Sequence, residues 1–177
     1  MAGAETALIV EVPEAEALVG HWRSTCDPVA ARGVPAHITT LFPFTPPGEL
    51  SDSMLHRLRS LCASIEPFEY RLTAIDQLPD IVWLRPSPDE AFRSLTRSIW
   101  TSFPVYPPYS GRFTDPQPHL TVAVLAGSEQ PDFVRELTAE VRAGLPVRCV
   151  AAELSVFESD ADGVWSRRLR LPSGATP

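Results

Sequence analysis

The apolar periodicities of this chain run through one order twice, and that order limits the fold more than any single residue does. Residues 6–12 are short and β-rich, and 13–25 open with Glu14 and Glu16, where a helix dipole favours acids. Ala15, Leu18, Val19 and Trp22 then recur at helical spacing. A β-branched run at 35–42 leads to a helix capped by Ser51 or Asp52, carrying Leu55, Leu58, Leu61, Cys62 and Ile65. Residues 68–75 alternate as a strand, with Phe68, Tyr70, Leu72 and Ala74 on one side. The order then restarts. A strand at 81–85 precedes a helix opened by Ser87-Pro88-Asp89-Glu90, with the proline at its first position. A loop rich in proline, tyrosine and glycine leads to a second apolar strand at 118–125, punctuated by Gly127 and Ser128. A helix at 131–142 carries Phe133, Val134, Leu137 and Val141, and Gly144 and Pro146 stop it. Residues 147–158 and 164–171 predict a closing hairpin through Asp160-Ala161-Asp162-Gly163.

Identities barely repeat between the halves, so the duplication is one of pattern. Such a pattern predicts an α+β fold of bilobal, pseudo-two-fold form. Two antiparallel-rich sheets line a central cleft, and helices cover their outer faces. The 177 residues fit a single domain with lobes at about 1–78 and 79–177, strand exchange between lobes being left open.

At matching points of the two halves stand Pro35-Ala36-His37-Ile38-Thr39-Thr40-Leu41-Phe42 and Pro118-His119-Leu120-Thr121-Val122. Side chains at i and i+2 of a strand share a face, so His37 pairs with Thr39 and His119 with Thr121. Thr40 points to the core side. Two imidazoles across one groove suit acid–base work near neutral pH, because one accepts a proton while the other donates. Threonine hydroxyls beside them can donate to an anionic oxygen. That set suggests attack on phosphorus, with no metal or other cofactor required. A two-histidine metal site would want a third ligand, and only Asp115 stands near either motif. His21 and His56 lie in predicted helices without a threonine two residues on, and read as surface or packing residues.

Phe44, Tyr106 and Tyr109, on loops flanking the motifs, are candidates to stack on a base, and Arg112 is a candidate phosphate-binding cation. Arg168 and Arg170 share a face of the last strand as a basic rim or a charged edge.

A formal net charge of −7 argues against a protein that wraps duplex DNA, though not against a small anion or an RNA end in a local pocket. Cys26, Cys62 and Cys149 form no CxxC pair, which suits reduced thiols in a cytoplasmic protein. No apolar run is long enough to span a membrane, and the start shows no secretory pattern. Nothing in the sequence demands more than a monomer.

The paired His37-Ile38-Thr39 and His119-Leu120-Thr121 resemble the signature of the 2H phosphoesterase superfamily. The stretch from Gly33 to Phe44 is similar to the first motif of its 2′-5′ RNA ligase-like branch, apart from Thr40, where that branch often has leucine. The resemblance implies hydrolysis of a 2′,3′-cyclic phosphate, on an RNA end or a small nucleotide, or related 2′-5′ phosphodiester chemistry. It further implies His119 as general base and His37 as general acid, an order the residues alone do not set. A non-catalytic module that binds an RNA end or a nucleotide in the same cleft is the other reading.

Overall fold

The computed structural model describes residues 4–125 and 131–174, so the Gly127–Ser128 breaker lies outside the described residues. Two βαβαβ runs follow one another, then two more strands. The first run is β1 (Thr6–Glu11), α1 (Glu16–Cys26), β2 (His37–Leu41), α2 (Asp52–Ala63) and β3 (Phe68–Gln77). The second is β4 (Ile81–Ser87), α3 (Glu90–Ser102), β5 (Leu120–Val124), α4 (Pro131–Ala143) and β6 (Val147–Ala151). β7 (Glu153–Ser159) and β8 (Trp165–Pro172) close the chain.

The strands form two antiparallel four-stranded sheets, ordered β2-β1-β7-β8 and β5-β4-β3-β6. Neither sheet is one contiguous half. β3 crosses into the second sheet, and β7 and β8 return to the first. The motif strands β2 and β5 are the inner edges of their sheets and pack against one another. One apolar core runs beneath both, joining Leu8, Val10 and Ile38 to Leu72, Leu84 and Leu120. The helices cover this core. In α2, Ser51 caps by accepting from the Met54 N–H at 3.3 Å, and Leu55, Leu58 and Cys62 turn inward.

Three local expectations are corrected. Residues 147–158 are two strands in different sheets, not one. The side chains that enter the main core shift from odd (Cys149, Ala151) to even (Leu154, Val156) across exposed Ala152, and there the chain changes sheets. In β3 a bulge between Leu72 and Ala74 puts Ile75, rather than Ala74, into the core. Helix α3 starts at Glu90 rather than at the proline, because Ser87 still pairs with Arg71 in the sheet. Its Asp89 turns its carboxylate away from the helix end to Arg93 and Gln117.

Candidate active site at the meeting of the two motif strands

Alternation in the edge strands sets which side chains are available. Ile38 and Thr40 are buried in β2, the Thr40 hydroxyl donating to the Leu8 carbonyl at 2.8 Å, while His37 and Thr39 stay half-buried on the other face. In β5, Leu120 and Val122 are buried, and Thr121 is half-buried with His119 just ahead of the strand.

Both imidazoles are held by one device. His37 Nδ1 lies 2.7 Å from the carbonyl oxygen of Pro35, and His119 Nδ1 lies 2.7 Å from that of Gln117. A carbonyl only accepts, so each Nδ1 carries the proton and each Nε2 keeps a free lone pair. Burial pushes His37 down to about 4; the charge of Arg23 adds to this, the Pro35 carbonyl opposes it, and His119 pushes the same way. That last influence means the two rings share one electrostatic environment. Burial also lowers His119, against the opposing bond to Gln117. Both shifts disfavour the charged imidazole, and an anion held between the rings would act against them.

Each ring has a supporting arginine that the sequence reading passed over. Arg23, 1% exposed, donates to the Thr121 carbonyl at 3.0 Å and to the Val34 carbonyl at 3.2 Å, and pairs with Asp27 at 3.0 Å. It thus ties the segment before His37 to the free edge of β5. The sequence signal was a cation four residues after Val19 on the apolar stripe of α1, with Asp27 four residues further on. Arg93 in α3 binds Asp89, Asp115 at 2.6 Å and Gln117 at 2.8 Å, and Gln117 also donates to Asp89. This network fixes the residue whose carbonyl orients His119.

The remaining candidates separate. Tyr109 comes to the site, its phenol against Thr39, while its N–H donates to the Phe42 carbonyl at 2.6 Å. Tyr109 and Ser110 hold the left-handed conformation, at φ 51° and 54°. Such geometry at a non-glycine residue costs on the order of 1–2 kcal/mol and clusters at functional sites. Arg112 is exposed on the same loop. Phe44 is not a stacking platform. It is 4% exposed, packed in the core between Phe103 and Tyr106, and has no face left for a base. Tyr106 packs there too and reaches Thr45. Asp115 is taken up by Arg93, and among the described residues no three His, Cys, Asp or Glu side chains could gather around a metal ion. The predicted Arg168–Arg170 rim is also revised. A bulge in the β7–β8 pairing lets Arg167 and Arg170 converge on Glu11, while Arg168 pairs with Glu158. His21 and His56 are exposed, as expected.

Beside His37 and Thr39 opens a cavity of about 170 Å³, walled by Ile9, Val34, Phe42, Phe157 and Trp165. Beside His119 stands Trp83, edge-on at 5.7 Å.

The family model of the 2′-5′ RNA ligase superfamily matches residues 11–163, a span that contains both motifs. The chain belongs to the 2′-5′ RNA ligase superfamily. Among solved structures it resembles TT0787 of Thermus thermophilus, at 18% identity and a TM-score of 0.66, covering 97% of this chain and 100% of that one. It also resembles LigT of E. coli, crystallised with NADP+, at 18% identity and a TM-score of 0.60, covering 98% and 99%. A third structure, described as a phosphoesterase, is 21% identical with a TM-score of 0.58, covering 96% and 98%. At these identities the likeness shows the fold alone. A search of curated proteins gave no match. No helix among the described residues is long and apolar enough to cross a membrane.

Proposed function

We propose that this protein is a phosphoesterase that opens a 2′,3′-cyclic phosphate, on an RNA end or a nucleotide, or cleaves a related 2′-5′ phosphodiester. The work is done by His37 and His119 without a metal. The supporting observation is the matched tethering: both rings give their Nδ1 proton to a backbone carbonyl and keep Nε2 free on adjacent edge strands. A bound phosphate anion raises both depressed imidazole pKa values, so one ring enters the reaction charged and the other neutral. The neutral ring takes a proton from water as the water oxygen bonds to phosphorus. The charged ring gives its proton to the departing ribose oxygen as the P–O bond breaks. The products are a phosphomonoester and a free hydroxyl. Thr39 and Thr121 donate to the non-bridging oxygens. The family resemblance makes His119 the base and His37 the acid.

Turnover of nucleoside 2′,3′-cyclic phosphates and 2′-5′-linked dinucleotides in excess chelator tests this. His37→Ala and His119→Ala should each lower kcat by about 10²–10⁴-fold while circular dichroism stays unchanged. A wild type that turns over none of these but binds an RNA end tightly would make the protein a binding module.

A further inference from the structure

The face of the second sheet that carries His119 and Thr121 continues beyond them. Thr121 pairs with Trp83, so Trp83, Arg85 and Ser87 share its face of β4. Ser87 pairs with Arg71 in β3, and Arg71 pairs with Arg148 in β6. The two arginines therefore stand directly opposite one another, where like charges destabilise a sheet. Among the strand arginines, Arg85, Arg167, Arg168 and Arg170 each have a carboxylate within ion-pair distance, and Arg71 and Arg148 have none among the described residues. They line an open cavity of about 540 Å³ with Thr73 and Ser87. Its only acidic lining residue, Glu69, pairs with neither among the described residues.

We propose that Arg71, Arg148 and Ser87 form a second phosphate site, and that the substrate is an oligoribonucleotide whose chain runs from the histidines across this sheet. The proposal rests on the reaction proposed above. Guanidinium pairs grip phosphate oxygens in bidentate fashion, and a bound phosphate converts the mutual repulsion of the two arginines into shared attraction. The geometry selects a polymer. Arg71 and Arg148 lie two and three strands from His119, roughly 10–15 Å at about 4.8 Å per strand. A nucleoside cyclic phosphate carries no second anion that far from its reacting phosphorus.

Steady-state kinetics on three substrates test the site: a nucleoside 2′,3′-cyclic phosphate, the same nucleotide carrying a 5′-phosphate, and a short oligoribonucleotide ending in the cyclic phosphate. For the double variant R71Q/R148Q, the rise in KM on the oligoribonucleotide should exceed that on the nucleoside by at least tenfold. The salt slope of log KM should flatten by about 1.4, two phosphates at about 0.7 each for a single strand. The melting temperature should hold or rise, since a like-charge pair is removed. An equal effect on all three substrates overturns the site. A selective loss on the 5′-phosphorylated nucleotide overturns the polymer assignment in favour of the nucleotide's own phosphate. If wild type cleaves none of the three, the reaction reading has failed. The site is then judged by fluorescence anisotropy with a labelled 3′-phosphorylated oligoribonucleotide: a tenfold weaker Kd in the double variant upholds it, and an unchanged Kd overturns it.

Discussion

The two motif strands share one local design and differ in what surrounds it. Both histidines are tethered to the carbonyl two residues back, and both threonines stand beside them on an edge strand. Around His37 the setting is enclosed and largely apolar: buried Arg23 behind it, Tyr109 against Thr39, and an aromatic-walled cavity at its side. Around His119 it is polar and open: Trp83, the Arg93 network, and the row of hydroxyls and arginines across the second sheet. Duplication supplies two imidazoles tethered in the same way. The unequal surroundings give the molecule a polarity, with an apolar cavity beside one motif and an arginine-lined one across the sheet from the other.

Removing the two supporting arginines probes that contrast most strongly. Arg23→Ala leaves Asp27 buried without its partner, and should cost about 3–5 kcal/mol in urea unfolding. Arg93→Ala removes contacts to Asp89, Asp115 and Gln117 at the surface, and should cost about 1 kcal/mol or less. Yet it should lower kcat/KM by about ten- to a hundredfold, because the His119 ring loses its alignment. Equal stability losses would erase the distinction between an enclosed and an open motif.

Acid titration of stability should bear mainly on the His37 side. Its pKa is about 4 folded and near 6.5 unfolded, so between these values the unfolded chain binds the proton first. Its stabilising contribution is complete above pH 6.5 and falls by up to about 3 kcal/mol as pH drops to 4. His37→Gln should remove that slope, whereas the same change at His119 should remove less. For the same reason the maximum of kcat/KM should lie below pH 6.5. The kcat profile should move to higher pH, because bound phosphate stabilises an imidazolium. A kcat/KM maximum above pH 7 would contradict the burial of both rings.

A smaller effect is expected at the loop serving only the first motif. Ser110→Gly relieves a left-handed residue and should stabilise by about 1 kcal/mol, with activity reduced where Tyr109 loses its fixed position. Equal stability and full activity would show that this backbone geometry does not serve the site.

Local periodicity made much of this legible. The doubled element order, the helix stripes, the burial of Thr40 and the shared faces of His37–Thr39 and His119–Thr121 follow from periods of 3.6 and 2. What escaped depends on long-range partners or on a one-residue change of phase. The β6–β7 crossover shows only as the parity change around Ala152, and the β3 bulge as Ile75 displacing Ala74. Phe44 looked like a loop aromatic, and only Phe103 and Tyr106, far along the chain, close it into the core. Arg93 looks like an ordinary helix-surface cation until Asp115 and Gln117 are brought to it by the fold, and Arg23, marked only by its place on the apolar stripe of α1, gains its carbonyl partners at Val34 and Thr121 in the same way.

The bridging guanidinium of Arg23 has a consequence for motion. Its two terminal nitrogens hold carbonyls of residues 34 and 121, one from each side of the pseudo-dyad. The separation of those carbonyls is therefore referred to the bond angles of a single rigid plane rather than to the summed compliance of two lobes. A displacement of the outer strands, β8 and β6, would therefore have to break or bend these two bonds before it changed the spacing of the inner edges.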